Sequence, residues 1–462
     1  MAITGISFNL ASIRTLAPGS DNWPITWADD DHQYTCWGDG GGFGGTNTDG
    51  RVSWGFGRVE GQKDNYNGFN VWGGFNPENP GDGSQGKSEG IICVGGILYA
   101  FNNDPAGGGI ELWRSTDHAA SWSKVIDWAS GSFGSESLTS WTFLNFGKNN
   151  AGARDTYVYA YAFDRTGTVI CGDDWDVQYP GRLHLMRVPA ASITTQGNWE
   201  FFSGTAGSPA WSSDQADRAA VLTDATNGIM RTGVIYVPAA SRYLMTAQQV
   251  SRHWECGAAV GVFEAPEPWG PWTLVRRFQP WQEGIKYRDA QDKTTTFFVS
   301  PKWWNGLNGV LVYTGPSSDA WGTVEFALSV STGDELATPS IIPDGGNFYP
   351  SVEVSFSSPD NPDEFYYTLD GSTPTTGSTA YNDTPFTLTA TTTVKVLAVK
   401  SGWTDSPIAT ATFTLSTPGT LDAPTILPGI RTFTDSVEVS FAHLQDPDEI
   451  YYTLDGSDPI IP

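Results

Sequence analysis

The chain has 462 residues and is rich in Gly (53), Pro (29), Phe (24) and Trp (20) but poor in Met (4). That mix breaks helices and suits pleated, half-buried surfaces, so it reads as all-β with many turns, in two to four domains at this length. The formal net charge of −26 argues against nucleic acid or an anionic membrane as partner, because both are bound through Lys and Arg, and no run reaches the roughly 18 to 20 apolar residues of a membrane span.

In chain order, the opening Met-Ala-Ile-Thr run lacks the basic and apolar stretches of a secretory leader. The first informative stretch runs from Asp21 to Gly40, where two aromatic arms flank the turn signal Asp29-Asp30-Asp31. It predicts a hairpin with its tip near Asp30. Asp21 and Asp39 lie nine positions either side of that tip, so the fold-back sets them side by side at the open end, where cross-strand Cβ atoms are about 4.5 to 5.5 Å apart. Asp29, Asp30 and Asp31 fall at the far end and read as a solvated turn.

Strand groups then follow at Ile25–Trp37, at Ile91–Phe101 with Glu111–Arg114, and at Tyr157–Phe163 with Leu183–Val188 and Trp199–Phe202. Two more cover Val234–Val237 with Tyr243–Ala247 and Ala258–Phe263, and Thr295–Val299 with Val310–Tyr313 and Val324–Leu328. Five groups of about 55 to 70 residues suit the radial four-stranded blades of a propeller. The expected architecture is a five-bladed β-propeller over 1–336. The segment Ser115-Thr-Asp117-His-Ala-Ala-Ser121-Trp122 resembles the Asp-box of sialidase-like propellers, a structural turn. The run Phe263 to Leu274, with Trp269-Gly-Pro-Trp272 at its turn, resembles the blades of furanosidase-type five-bladed propellers. Cys36, Cys93, Cys171 and Cys256 are far apart with no CxxC spacing, and free buried thiols are expected.

Composition changes near Leu336 to Pro343, where Thr, Ser, Pro and Asp take over. The segment Ser351–Pro374 returns 85 positions later as Ser436–Pro459, each copy alternating apolar and polar residues and ending in Tyr-Tyr-Thr-Leu-Asp-Gly-Ser. These are small β-sandwich modules: one over 337–417, and a second over 418–462 that stops before its later strands, which further sequence is expected to supply, the alternative being self-association by strand addition from another chain. The Tyr-Tyr-Thr-Leu-Asp-Gly-Ser-x-Pro signature resembles the chitobiase/β-hexosaminidase C-terminal type of accessory module, which implies an immunoglobulin-like fold and a structural, non-catalytic motif.

There is no GxSxG elbow, no HExxH and no Gly-rich phosphate loop opening a helix, and the five histidines form no close pair. Carboxylates remain. Two held close together cannot both ionise cheaply in a partly dry cleft, and glycoside hydrolysis uses that division between an acid and a nucleophile or base. The competing reading is that each Asp caps a turn. Glu89, Glu255 and Glu264 are further acids without distinguishing context, and the Cys171–Asp176 loop is a candidate third acid or structural calcium site. Otherwise no cofactor and no catalytic metal is expected.

The start Asp21-Asn-Trp-Pro-Ile-Thr-Trp-Ala-Asp-Asp30, the Gly-Asp-Gly-x-Gly-Phe run from Gly38 to Phe43, Val52-Ser-Trp-Gly-Phe-Gly-Arg58-Val-Glu-Gly61 and Ala265-Pro-Glu-Pro-Trp-Gly-Pro-Trp272 together resemble the endo-D-arabinanase family of glycoside hydrolases over most of residues 15 to 336. The resemblance implies a propeller-shaped, endo-acting glycosidase whose two N-terminal-blade aspartates match Asp21 and Asp39. Asn22, Trp23, Trp37, Trp175 and His253 are candidates for contacting the sugar, although core packing is the competing role of each Trp. Both parts of the chain, 1–338 and 339–462, carry a net charge of −13, which favours a neutral polysaccharide over a polyanionic one. A non-catalytic carbohydrate-binding or adhesive protein of a virion or cell surface is the second reading, and a sialidase-like enzyme the third. All three place the protein outside the cell or on a surface.

Overall fold

Runs of aromatic and β-branched residues punctuated by Gly become short antiparallel strands, because such side chains pack well on a pleat and Gly supplies the turns between them. The computed structural model describes the chain except for residues 104–108, 129–137, 165–167, 170–177, 250–258, 287–296, 316–318, 332–334, 401–402, 417–421, 430–431, 445–446 and 461–462. Among the described residues the only helices are four single-turn 3-10 segments, so the protein is all-β. The chain divides into two units, Ala2–Ser331 and Thr332–Pro462.

In the first unit the strands form a series of antiparallel sheets. The first sheet holds Ile25–Trp27, Gln33–Gly38, Trp54–Glu60 and Asn67–Trp72, and the second Lys87–Val94, Ile97–Asn103, Ile110–Ser115 and Ser123–Trp128. The third is built on Leu138–Asn145, Tyr157–Asp164, Gly181–Pro189 and Glu200–Phe202, the fourth on Thr232–Val237, Arg242–Gln249, Ala259–Ala265 and Thr273–Phe278. A short parallel pairing of Leu144 and Asn145 with Val234 and Ile235 joins these two. The fifth contains Phe297–Val299, Asn308–Thr314 and Trp321–Val330, and its outer strand is the chain's first, Ile3–Leu16, paired antiparallel with Trp321–Val330. The strand reading did not foresee that N-terminal strand, whose apolar residues lack a clean alternation.

Large rings fill the spaces between neighbouring sheets. Tyr34, Trp54 and Phe56 of the first pack with Ile91, Cys93 and Trp113 of the second. Phe101 and Trp128 meet Trp141 and Phe143 of the third, and Tyr159 and Leu183 meet Val234 and Tyr243 of the fourth. Val260 and Val262 meet Phe297 and Leu311 of the fifth, while Val310 and Trp321 of the fifth meet Trp23 and Trp37 of the first. The leading strand of each sheet is mostly buried, Leu138–Asn145 throughout, whereas a last strand such as Asn67–Trp72 is mostly half-buried or exposed. The leading strands converge on a gap of about 10 Å³ lined by Ile25, Ile91, Phe143, Asn145, Val234 and Phe298 among others. That volume holds about one water, so the convergence point is plugged.

The Asp117 turn is held by its own carboxylate: Oδ1 accepts from the Ser121 amide (2.9 Å) and Oδ2 from the Ser121 hydroxyl (2.6 Å). Trp122 then stacks on Phe56 of the neighbouring sheet, with ring centroids 3.9 Å apart. Cys36 and Cys93 are free and buried.

In the second unit, Ser340–Ile342, Val352–Ser357 and Phe386–Leu388 form one sheet, and Gly346–Phe348, Ala409–Leu415, Thr392–Val399, Glu364–Thr368 and Thr379–Ala380 another. Val354, Val394, Val396, Phe348 and Phe413 are buried between them. In the repeat's first copy Asp370 Oδ1 accepts from the amide and hydroxyl of Ser372 (2.9 and 2.6 Å); in the second, Asp455 Oδ1 does the same with Ser457 (3.0 and 2.6 Å). The turn therefore forms in both copies. Strand pairing in the second copy, among the described residues, is confined to Thr425–Leu427 with Ser440–Ala442.

Candidate active site

Asp21 stands at the open end of the first hairpin. The ladder pairs Ile25 with Thr35, Thr26 with Tyr34 and Trp27 with Gln33, and the Ala28 amide donates to the His32 carbonyl at the turn (2.9 Å). Extended unchanged, that register would set Asp21 opposite Asp39. Instead it slips by one residue, and Asp21 forms a two-bond bridge with Gly38 (3.0 and 2.9 Å). Two left-handed residues, Asn22 (φ 56°) and Asp39 (φ 51°), flank the bridge and bend the arms there. The absence of a side chain at Gly38 makes room for the acid: a Cβ would lie 3.1 Å from Asp21 Oδ1 and 3.4 Å from Lys87 Cδ.

Burial pushes the Asp21 carboxyl up to about 7. Arg231 opposes this most, Asp319 adds to it, Lys87 opposes it, and Asp39 adds a smaller amount. Asp21 nevertheless keeps partial access to solvent. Asp39 is in a different situation. One oxygen pairs with Lys87 and the other lies 3.4 Å from Arg51, with its side chain about one-third exposed.

Lys87 opens the leading strand of the second sheet, followed by Ser88 and Glu89. Ser88 pairs with Asn102 and Gly90 with Phe101, so Glu89 is the unpaired residue of a bulge, a device that re-aims a side chain. Glu89 is almost wholly buried, and its Oε2 lies 3.7 Å from Arg231 Nε, just ahead of the fourth sheet's leading strand. Burial raises the Glu89 carboxyl above its ordinary range, with Arg231, Ser140, Asn103 and Lys87 acting in the opposite direction. Ser140 sits in a second register shift, at left-handed φ (49°), on the third sheet's leading strand.

The candidate sugar contacts need correction at three positions. Trp23 and Trp37 are both fully buried, packed against each other (centroids 5.7 Å) and against Phe43. Their indole N–H groups donate to Ala320 and Gly40 carbonyls (3.0 and 3.2 Å), so they plug the space between the first and fifth sheets and present no face to a ligand. Asn22 is 4% exposed, with its amide nitrogen bonded to the Ser88 carbonyl and its backbone N–H donating to Thr314 Oγ1 (3.0 Å). It links three sheets. Trp175 and His253 lie outside the described residues, as do Glu255 and the Cys171–Asp176 loop with its candidate calcium ligands. Glu264 is buried beside Arg242 (3.2 Å) on the fourth sheet's third strand. An exposed ring is offered by Phe75 (53%), whose amide donates to the Gly41 carbonyl (2.8 Å), two residues past Asp39.

At the hairpin tip the three aspartates are far from idle. Asp31 accepts from Lys148 (3.2 Å), Lys302 (3.1 Å) and the Trp27 indole (3.1 Å), and Asp29 pairs with His118 (3.0 Å). Ligand atoms of Asp29, Asp30 and His118 lie within 4.8 Å of one another, the one grouping of metal-ligand type among the described residues.

Sequence reasoning passed over Glu89 as one acid among many and missed Arg231, Lys87 and Arg51. A usable signal exists: Asp21, Lys87 with Glu89, and Arg231 each stand at or just before the start of a buried leading strand. Ionisable residues at equivalent offsets from those strands fall at one end of the sheets.

Residues 343–410 match the family model described as the chitobiase/beta-hexosaminidase C-terminal domain, which spans most of the first repeat copy's module. No curated protein matches the chain. Among solved structures, a thermostable family-43 glycoside hydrolase aligns at 14% identity over 71% of this chain and 92% of its own, with a TM-score of 0.37. A family 117 glycoside hydrolase of the marine bacterium Zobellia galactanivorans aligns at 9% identity over 70% and 91% (TM-score 0.39). The exo-beta-1,3-galactanase of Phanerochaete chrysosporium aligns at 10% identity over 90% and 94% (TM-score 0.38).

Proposed function

We propose that the protein is a glycoside hydrolase acting on a neutral, furanose-containing or arabinan-like polysaccharide in endo fashion, with Asp21 as acid and Asp39 as its anionic partner. The observation that carries this reading is the electrical asymmetry of the two groups. Burial keeps a proton on Asp21 up to about pH 7, while Asp39 is partly exposed and paired with Lys87 and Arg51. An acid poised near the working pH is what protonation of a departing glycosidic oxygen requires. In the proposed cycle Asp21 gives its proton to that oxygen as the bond to the anomeric carbon breaks. Asp39 attacks that carbon or deprotonates a water that does; the anomer of the first product, read by proton NMR, assigns which.

The scaffold proposed for this chemistry is a closed five-bladed β-propeller over 1–336, with the acids at one end of the axis. Sheet-to-sheet packing that returns from the fifth sheet to the first, and a first strand completing the last sheet, support it. The plugged convergence point makes the proposed cleft a blind one. Residues 337–417 and 418–462 are proposed as accessory modules of a secreted or surface-located enzyme. The test is Asp21→Asn and Asp39→Asn assayed for new reducing ends on a panel of neutral polysaccharides. Loss in both variants supports the assignment, and undiminished release in both removes it. Retention of glycan by the wild type without any release would favour the carbohydrate-binding reading.

A further inference from the structure

The tip of the first hairpin gathers a set of donors that the acids at its open end do not touch. His118 Nε2 lies 3.0 Å from Asp29 Oδ1 and 3.9 Å from Asp30 Oδ2. One ligand atom from each of the three residues falls within 4.8 Å of the other two. A tetrahedral zinc site with bonds of about 2.0 to 2.2 Å sets its ligand atoms about 3.4 Å apart. The two His118 distances stand one on each side of that spacing.

The surroundings arrange these donors from several sides. The Tyr34 hydroxyl donates to Asp30 Oδ2 (2.7 Å), and the Tyr34 ring stacks on the His118 imidazole with centroids 5.9 Å apart and 26° between planes. One residue therefore orients an oxygen donor and a nitrogen donor together, as the outer partners of metal ligands do. The His32 amide donates to Asp30 Oδ1 (3.0 Å). His118 sits in the Asp117 turn at left-handed φ (55°), and the next amide, that of Ala119, is anchored on Ser115 Oγ (2.9 Å). Gly96, in the turn between the first two strands of the second sheet, leaves room beside Asp29: a Cβ there would press on Asp29 Oδ2 at 3.2 Å.

Charge points the same way. Lys148 and Lys302 are both engaged by Asp31, and among the described residues His118 alone pairs with Asp29 and Asp30. Two carboxylates thus share one imidazole, and a divalent cation would balance them while using all three donors.

We propose that Asp29, Asp30 and His118 form a binding site for a divalent transition metal, zinc foremost, with water as the fourth ligand. The imidazole argues against calcium, which takes about six to eight oxygen ligands, and against magnesium, which keeps oxygen and water around it. His118 binds through Nε2 as a neutral ring, and any proton held there passes to solvent. The metal joins the hairpin tip of the first sheet to the Asp117 turn of the second, at the end of the hairpin away from Asp21 and Asp39. Its role is to fasten the two sheets, whatever the reaction at the other end.

The test is calorimetric titration of zinc chloride into the chelator-treated full chain, with thermal melting in parallel, for the wild type, Asp29→Asn, His118→Ala and Tyr34→Phe. The wild type is expected to bind one equivalent that Asp29→Asn and His118→Ala lose, and Tyr34→Phe to bind about tenfold more weakly. Zinc then raises the melting temperature of the wild type and leaves those of Asp29→Asn and His118→Ala unmoved. Cobalt(II) in place of zinc is expected to give the visible absorption of a tetrahedral complex, absent in His118→Ala. Should His118→Ala fail to fold, Asp29→Asn, which alters an exposed side chain, decides alone. Absence of zinc binding by the wild type, or binding of equal strength in Asp29→Asn, overturns the proposal and leaves an ordinary His–Asp ion pair. A rise in melting temperature with calcium chloride equal to that with zinc overturns the choice of metal.

Discussion

The two ends of the first hairpin carry aspartates in opposite circumstances. At the open end, Asp21 keeps only partial access to solvent, and burial raises its carboxyl to about 7. At the tip, Lys302 and Lys148 bonded to Asp31, and His118 bonded to Asp29, hold those carboxyls below the usual carboxylate range. The same residue type is thus made a proton donor in one place and an ionic fastening in the other, with water access the deciding variable. Lys148 lies on the connection after the third sheet's leading strand, and Lys302 on that after the fifth sheet's, so the tip ties the first hairpin to distant parts of the unit.

Exchanging the chemistry of the two ends should break that contrast unequally. The largest expected effect is on hydrolysis: Asp39→Asn should lower the rate of reducing-end release by at least about a thousandfold, within the range lost with a reacting carboxylate. Asp31→Asn, at the tip, should leave the rate within about twofold.

Stability should respond in the opposite sense. An unfolded Asp ionises near its ordinary 3.8, whereas folded Asp21 does so near 7. Between those values the unfolded chain releases a proton that the fold retains. Folding is therefore weakened as pH rises through this window and stays weakened above it, by on the order of 4 kcal/mol in full. Asp21→Asn removes that penalty. Denaturant titration should find the variant more stable than wild type at pH 8 and about equal at pH 3.5, even though its hydrolysis is lost.

Lys87→Met removes the cation shared by Asp39 and Asp21. A fall of about tenfold in kcat, with the upper limb of the pH profile moved to higher pH, is expected. Asp29→Asn, by contrast, disrupts an exposed pair and should cost about 0.2 to 1 kcal/mol, less at high salt. The smallest effect is at Phe75: if its exposed ring offers a stacking surface, Phe75→Ala raises KM a few-fold and leaves kcat unchanged.

Much of the fold was legible because strands advertise themselves locally. The runs around Tyr157, Val234 and Val310 became strands, and the Asp370 turn formed in both repeat copies, since each depends on near neighbours in sequence. Ile3–Leu16 was illegible because its partner, Trp321–Val330, lies some three hundred residues away. The hairpin was read with its tip in the right place, yet the one-residue slip that sets Asp21 against Gly38 depends on left-handed Asn22 and Asp39, which no spacing rule encodes. Trp23 and Trp37 were misread for a related reason. A Trp two positions from an acid would share its face on a regular strand, but left-handed Asn22 and Asp39 break the alternation there, and both rings go into the packing with Trp321 and Phe43. Glu89 needed a bulge to become visible.

The most direct measurement compares both hairpin ends in one spectrum, by carbon-13 titration of the aspartate carboxyls in the wild-type protein. The expected result is a midpoint for Asp21 at about 7 with that of Asp31 below the usual range. A midpoint for Asp21 near 4, indistinguishable from an exposed aspartate, would contradict the assignment of this group as the acid.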